Sequence, residues 1–324
     1  MNFYIFCPLL VTGGPEALHQ LCDGLNNLGI NAYMYYYESE FICRKLEIPI
    51  LSAYAHYNIK KCPDNIKSIS DLNSKNNTIV IPEIIKRNLF PGNFKAKLIY
   101  WFLSCTSDNE KNQYRDAQLK KYYIACQSQE VYDRIIKSEY LDNKKVFKLS
   151  DYTKESFLYS EEQLKIYSKK DIILYCLKKK NSENGLKHYQ EIFKLLPNYD
   201  IKLIQNLFIL DVKNLGLKSK VYIDFGSHPG KDRPPREMAS TGCIVITGTQ
   251  NVGGNDIDVP LGNRKFEYNL ETDSYDYEKI AEQIKYDLEN YQTSFEEQFG
   301  YREIIRNEKS VFQEEIKKMI GVLK

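Results

Sequence analysis

Short, almost wholly apolar runs alternate with amphipathic helical stretches from the first residues onward, and this alternation restricts the fold more than any other feature. Phe3 to Leu10 is nearly all apolar, Gly13-Gly14-Pro15 turns the chain, Leu18, Leu21, Leu25 and Leu28 recur at helical spacing, and Gly29 stops the helix before "INAYMYYY". A strand that is apolar throughout buries both faces, which is the condition of a parallel sheet covered by its own crossover helices. The opening forty residues therefore predict strand, loop, helix, strand.

The pattern continues with "TIVIP" (78–82), "AKLIYWFLS" (96–104), "KYYIACQS" (121–128) and "KVFKLS" (145–150). The polar segment "DYTKESFLYSEEQLKIYSKKD" then separates a second series: "DIILYCL", "DIKLIQ", "VYIDF", "CIVITG" and "RKFEYNL", with helical stretches between them. Two amphipathic helices close the chain, one carrying Ile280, Ile284 and Leu288, the other Val311, Phe312, Ile316, Met319 and Ile320. The expectation is an α/β protein of two Rossmann-like parallel-sheet domains facing a cleft, divided as 1–155 and 156–324.

Charge and cysteine spacing exclude several partners. With 45 basic and 43 acidic residues, the chain has no basic excess for nucleic acid, so any anion is recognised locally. The eight cysteines form no C-x-x-C pair and only four histidines accompany them, which argues against zinc. Several lie inside apolar strands, as free thiols do in a reducing compartment. The first apolar run lacks a basic leader and is too short to span a membrane, so a cytoplasmic protein is predicted.

The most unusual stretch is "HPGKDRPPREMASTGC" (228–243), wedged between two apolar strands. Pro235 suits the first turn of a helix that Gly242 would end, placing helix N–H groups beside Lys231, Arg233 and Arg236. A helix N-terminus backed by cations is a phosphate site in physical terms, and the prolines would hold the cations before a ligand arrives. Glu237 is a suitable acceptor for sugar hydroxyls. The plainer reading is an exposed turn whose cations pair with Asp224 and Asp232.

Strand, loop, then "REMASTGCIVITG" resembles the donor-binding motif of GT-B glycosyltransferases. "YIDFGSHPGKDRPPRE", with "TGGPEALHQL", "VIPE", "YWFLS" and "LSDY" in the first half, is similar to a group of bacterial surface-polysaccharide transferases, and the resemblance covers most of the chain. It implies that Glu237 takes the nucleotide ribose and that Lys231, Arg233 and Arg236 lie by the diphosphate. His228-Pro229 resembles the His-Pro pair of transferases that use CMP sugars. After the second domain's first strand the family form is nearer Tyr-Asn-Pro-Lys-Lys-Gly. Here "YCLKKKNSENG" departs from it and leaves Lys178 and Lys179 as the phosphate contacts.

In "VTGGPEALHQL", Gly13 and Gly14 would let backbone approach a ligand, with Glu16 or His19 as general base on an acceptor hydroxyl. The alternative is a simple turn, with Glu16 favouring the helix start and His19 packed inside. "IKRNLFPGNFKAK" (85–97) interleaves cations with Phe90 and Phe94, as a peripheral membrane contact would, or is a solvated loop with two packed rings. Other signals fail: "GTQNVGGN" lacks the lysine of a phosphate-binding loop, no G-x-G-x-x-G follows the first strand, and "DID" at 256–258 is too common a spacing to indicate a metal.

The expected activity is metal-independent transfer of a sugar from a nucleotide-sugar donor, bound by the second domain, to a glycan or lipid-linked glycan of the bacterial surface, bound by the first. No cofactor or metal is expected. The competing readings are a non-catalytic nucleotide- or sugar-binding module on the same fold and a nucleotide-sugar epimerase.

Overall fold

A computed structural model describes residues 1–37, 53–85, 90, 92–104, 117–138, 141–177 and 182–324. Contacts divide the chain into one unit of Met1–Asp151 with Ser310–Lys324, and a second of Tyr152–Lys309.

The first unit is built on β1 (Asn2–Pro8), α1 (Gly13–Asn27), β2 (Ala32–Tyr37), β3 (Lys60–Lys61), β4 (Asn77–Pro82), β5 (Lys97–Phe102), β6 (Tyr123–Cys126), α2 (Gln129–Lys137) and β7 (Val146–Lys148). All seven strands pair in parallel, in the order β3-β2-β1-β4-β5-β6-β7. Strand β1 pairs Phe3 with Ala32 on one side and Asn2 with Asn77 on the other. The order reverses between β1 and β4, so their C-terminal ends flank the crevice where open sheets take ligands. Leu18, Leu21 and Leu25 of α1 are buried, whereas Leu28 is exposed at the helix end, where Gly29 turns the chain with φ +75°.

The second unit contains α3 (Glu161–Leu164), β8 (Lys170–Tyr175), α4 (Ser182–Lys194), β9 (Asp200–Leu203), α5 (Ile209–Lys218), β10 (Ser219–Asp224), α6 (Arg233–Ser240), β11 (Ile244–Gly248), β12 (Lys265–Phe266), α7 (Tyr277–Glu289) and α8 (Tyr291–Glu297). Its parallel sheet has the order β12-β11-β10-β8-β9, so the reversal lies between β8 and β10. Alternate residues of each strand feed two cores. Ile173, Val221, Ile223, Ile244 and Ile246 pack with Ile280, Ile284 and Leu288, while Ile172, Leu174, Tyr222 and Val245 pack with Met238 and Ala239.

The final helix, α9 (Phe299–Leu323), is shared. The sequence groups all of it with the second half, but from Ser310 it belongs to the first unit. Phe312, Ile316, Met319 and Leu323 are buried there, and a Cβ on Gly24 of α1 would lie 2.5 Å from Ile316 Cδ1, so α1 and this helix end meet without room for a side chain.

Candidate functional site

The loop between β10 and α6 sits at the C-terminal edge of the second sheet, beside its reversal point. Helix α6 starts at Arg233 and ends before Gly242, whose φ of +86° is the left-handed turn expected of it. Pro234 and Pro235 stand second and third in this helix. Proline has no N–H, so the first turn loses two of the donors that make a helix N-terminus attractive to anions. Recognition of an anion here rests on side chains.

Those side chains are divided by burial. Arg236 is 2% exposed, and its Nη1 donates to Glu308 Oε2 of α9 at 2.8 Å. Its Nη2 and Nε donate to the carbonyls of Lys231 and Asp232 at 2.8 and 3.2 Å. Lys231 Nζ lies 3.2 Å from Glu308 Oε1. Arg236, expected by the diphosphate, is instead a guanidinium enclosed with a carboxylate and two carbonyls, where it builds the loop. Lys231 shares that carboxylate. Glu308 is thus a counter-ion of this loop that lies far from it in the sequence.

His228 is also internal. Its Nδ1 lies 2.8 Å from Asp232 Oδ2 and its Nε2 2.9 Å from Thr247 Oγ1. A Cβ on Gly253 would come within 2.9 Å of the His228 ring and 2.5 Å of the Gly248 carbonyl, so Gly253 is required by packing. Asn251 holds φ +52°, ψ −126°, a conformation natural to glycine, and its Nδ2 donates to Ser227 Oγ at 2.9 Å. The "GTQNVGG" stretch is thus a brace for the His228 loop. A cavity of about 20 Å³ remains under it, lined by His228, Lys231, Asp232, Arg236, Thr247 and Tyr301 among others. That is room for about one water.

Arg233 and Glu237, unlike Arg236, are not enclosed. Both are partly exposed, and their spacing of four residues puts them on one face of α6, a cation and a carboxylate side by side. Lys178 and Lys179 lie outside the described residues.

In the first unit the proposed bases are enclosed. His19 is fully buried, stacked on Tyr54 at 3.9 Å between ring centres. Its Nδ1 donates to the Pro15 carbonyl at 2.6 Å, so in the neutral ring Nε2 accepts from the Tyr36 hydroxyl at 2.8 Å. Glu16 is 5% exposed and accepts from the Tyr57 hydroxyl at 2.9 Å. Both candidate bases thus stand in a buried polar cluster. Gly13 and Gly14 open α1, and a Cβ on Gly14 would make only an ordinary 3.5 Å contact with Leu103, so packing does not demand glycine there. The sequence missed Glu83, which directly follows β4 at the sheet reversal and is only half-buried. Its Oε2 accepts from Leu103 N at 3.0 Å and its Oε1 from Ser104 Oγ at 2.7 Å. The signal was the acid that ends "VIPE".

Burial lowers the His19 imidazole to about 4 from the usual 6.5, the loss of hydration being the main cause. The folded chain therefore holds His19 neutral where the unfolded chain is protonated. Its contribution to stability is complete above pH 6.5 and is lost as the pH falls toward 4. Between pH 7 and pH 5 the expected loss is about 2 kcal/mol. His188 is shifted in the same direction by burial, so the measurement is denaturant unfolding against pH for the native chain and His19→Gln, the variant losing that part of the slope.

Phe90 of the 85–97 stretch is 1% exposed and packs on Phe6 and Phe94 at 5.7 and 5.4 Å. Phe90 is turned into the fold, with Phe94 partly buried against it. Lys86 and Arg87 lie outside the described residues. Among the described residues no helix is long and apolar enough to cross a membrane, and no group of three His, Cys, Asp or Glu side chains is arranged for a metal ion.

No protein-family model matches the sequence, and no curated protein does. Solved structures do match. A glycosyltransferase from Rickettsia africae ESF-5 is 15% identical, with 100% of this chain and 97% of that one covered and a TM-score of 0.64. Anabaena Alr3699/HepE in complex with UDP is 11% identical over 99% of this chain and 100% of its own, at 0.65. A putative UDP-N-acetylglucosamine 2-epimerase from Listeria monocytogenes is 11% identical over 92% and 90%, at 0.53. At such identities the likeness establishes the fold: two parallel-sheet α/β units of the GT-B glycosyltransferase type.

Proposed function

We propose that the chain is a glycosyltransferase that binds a nucleotide-sugar at the β8/β10 edge of the second unit and transfers the sugar to a hydroxyl of a bacterial surface glycan. The observation that carries this reading is Arg233 and Glu237 presented on one face of α6 beside the strand reversal. Arg233 supplies a cation for the diphosphate and Glu237 a charged acceptor for ribose hydroxyls. Positive charge there stabilises the leaving nucleotide diphosphate, in the role a metal ion fills elsewhere. Glu83, a half-buried carboxylate at the reversal of the first sheet, is better placed than Glu16 or His19 to receive the proton of the acceptor hydroxyl. The surface-glycan acceptor is supported by the sequence resemblance alone.

UDP is the first nucleotide to try, because it is bound in the Anabaena neighbour. A ligand at about 100 times its dissociation constant adds about 2.7 kcal/mol, a rise in melting temperature of several degrees. The test is thermal unfolding with UDP, GDP, CMP and ADP and their sugars, with and without EDTA, followed by product analysis of whichever nucleotide-sugar binds. Sugar found on an added glycan acceptor supports transfer. A rearranged nucleotide-sugar without acceptor makes the chain an epimerase, and binding without turnover makes it a binding module. No shift with any nucleotide removes the donor site.

A further inference from the structure

Glu308 has no place in the site read from the sequence, yet it contacts both Lys231 and Arg236 of the 228–236 stretch. It lies in the α9 turn just before the chain leaves the second unit, and is 4% exposed. Oε2 accepts from Arg236 Nη1 at 2.8 Å, from Thr153 N at 2.8 Å and from Thr153 Oγ1 at 2.9 Å. Oε1 faces Lys231 Nζ at 3.2 Å, the longest of the four contacts. Thr153 is the second residue of this unit, so both points where the main chain enters and leaves it, Tyr152 and Lys309, are one residue from this carboxylate cluster.

A buried carboxylate is stable only with its charge matched and its lone pairs filled. Glu308 meets both conditions by drawing one hydroxyl, one amide and two cations onto a single group. Removing its charge takes from Lys231 and Arg236 the carboxylate that they share, and weakens the hold of α9 on the stretch that carries them. Arg233 opens α6 within this stretch, between Lys231 and Arg236, hence its direction depends on how the stretch is held.

We infer that Glu308 is the positioning residue of the donor site: it sets the 226–236 loop from α9, and through Thr153 ties that loop to the segment where the chain enters the unit. The donor-site part of this inference rests on the transferase reading above. The loop-holding part does not.

The experiment is amide hydrogen exchange on the full chain without ligand, for the native protein, Glu308→Gln and Thr153→Val. Glutamine keeps the shape and removes the charge, while valine removes only one hydroxyl donor. In Glu308→Gln the amides of 226–236 are expected to exchange at least about tenfold faster, with β11 unchanged. Thr153→Val should raise exchange in the same loop by a few-fold, and it serves where the glutamine variant does not fold. Exchange in that loop within twofold of native in the folded variants, or a uniform rise over the whole unit, overturns the inference. With UDP-sugar turnover in hand, Glu308→Gln is expected to raise the donor KM at least about tenfold and leave the acceptor KM unchanged, a split that general loss of stability would not produce. If the native chain binds no nucleotide, the transferase reading fails while the exchange result still decides the role of Glu308.

Discussion

Arg236→Ala is expected to destabilise the second unit by about 3–5 kcal/mol, because it strands the Glu308 carboxylate in the interior with a single cation left. In a unit of this length that is a fall of roughly 10 °C in melting temperature, large enough to read directly from a thermal melt. The same substitution at a solvent-facing phosphate contact would leave stability within about 0.5 kcal/mol and weaken nucleotide binding instead. The two assignments of Arg236 therefore predict opposite readouts. A companion variant sharpens the contrast: Arg236→Met with Glu308→Leu removes both charges together, and should recover part of the lost stability, since a buried pair replaced by apolar side chains is often neutral. If the single variant melts like the native chain, the internal role given to Arg236 is wrong.

That contrast also marks where the sequence stops being informative. Among the described residues, the ten longer strands and the two-residue β12 stand on apolar runs visible in the sequence, and the two-residue β3 is the one addition, because an edge strand of two lysines has no apolar signature. Hydrophobic period reports burial, and burial builds the sheets. The end of α9 escaped because its buried residues have the same period in either unit. Period says that Phe312, Ile316 and Met319 are covered, but the cover is identified only by the close approach at Gly24.

The loop was legible in place, and the burial of its side chains was not. Gly242, the prolines and the flanking strands located the loop and its helix correctly, since these are local signals. Charge is not local. Arg233 and Arg236 look equivalent in "KDRPPRE", and what separates them is a glutamate 72 residues from Arg236, beyond any reading of spacing. His19 shows the same limit: a histidine four residues past Pro15 on a helix has no sequence mark of the Tyr36 and Tyr54 rings that enclose it. Glu83 went unnoticed for the opposite reason. Its value is its position at the reversal between β1 and β4, and strand order is not written in the period of any one strand.

Glu237→Ala should do what Arg236→Ala does not. Glu237 is a partly exposed helical residue, so its loss is expected to change stability by no more than about 0.5 kcal/mol. If its carboxylate accepts hydrogen bonds from ribose hydroxyls, the loss of a charged hydrogen bond of about 1.5–3 kcal/mol lowers kcat/KM for the nucleotide-sugar about 10- to 150-fold. The fall alone would not locate the contact, because a displaced α6 gives the same number. A second alteration on the ligand does locate it: the native chain should bind 2′,3′-dideoxy-UDP about as weakly as Glu237→Ala binds UDP. The variant should then lose almost nothing further with the dideoxy analogue, since the two changes delete the same bond. Equal losses that add would mean that Glu237 acts on another part of the donor or only through the helix. Because stability, affinity for UDP and affinity for the analogue are measured on the same two proteins, a folding defect is separated from a binding defect, and a ribose contact from any other.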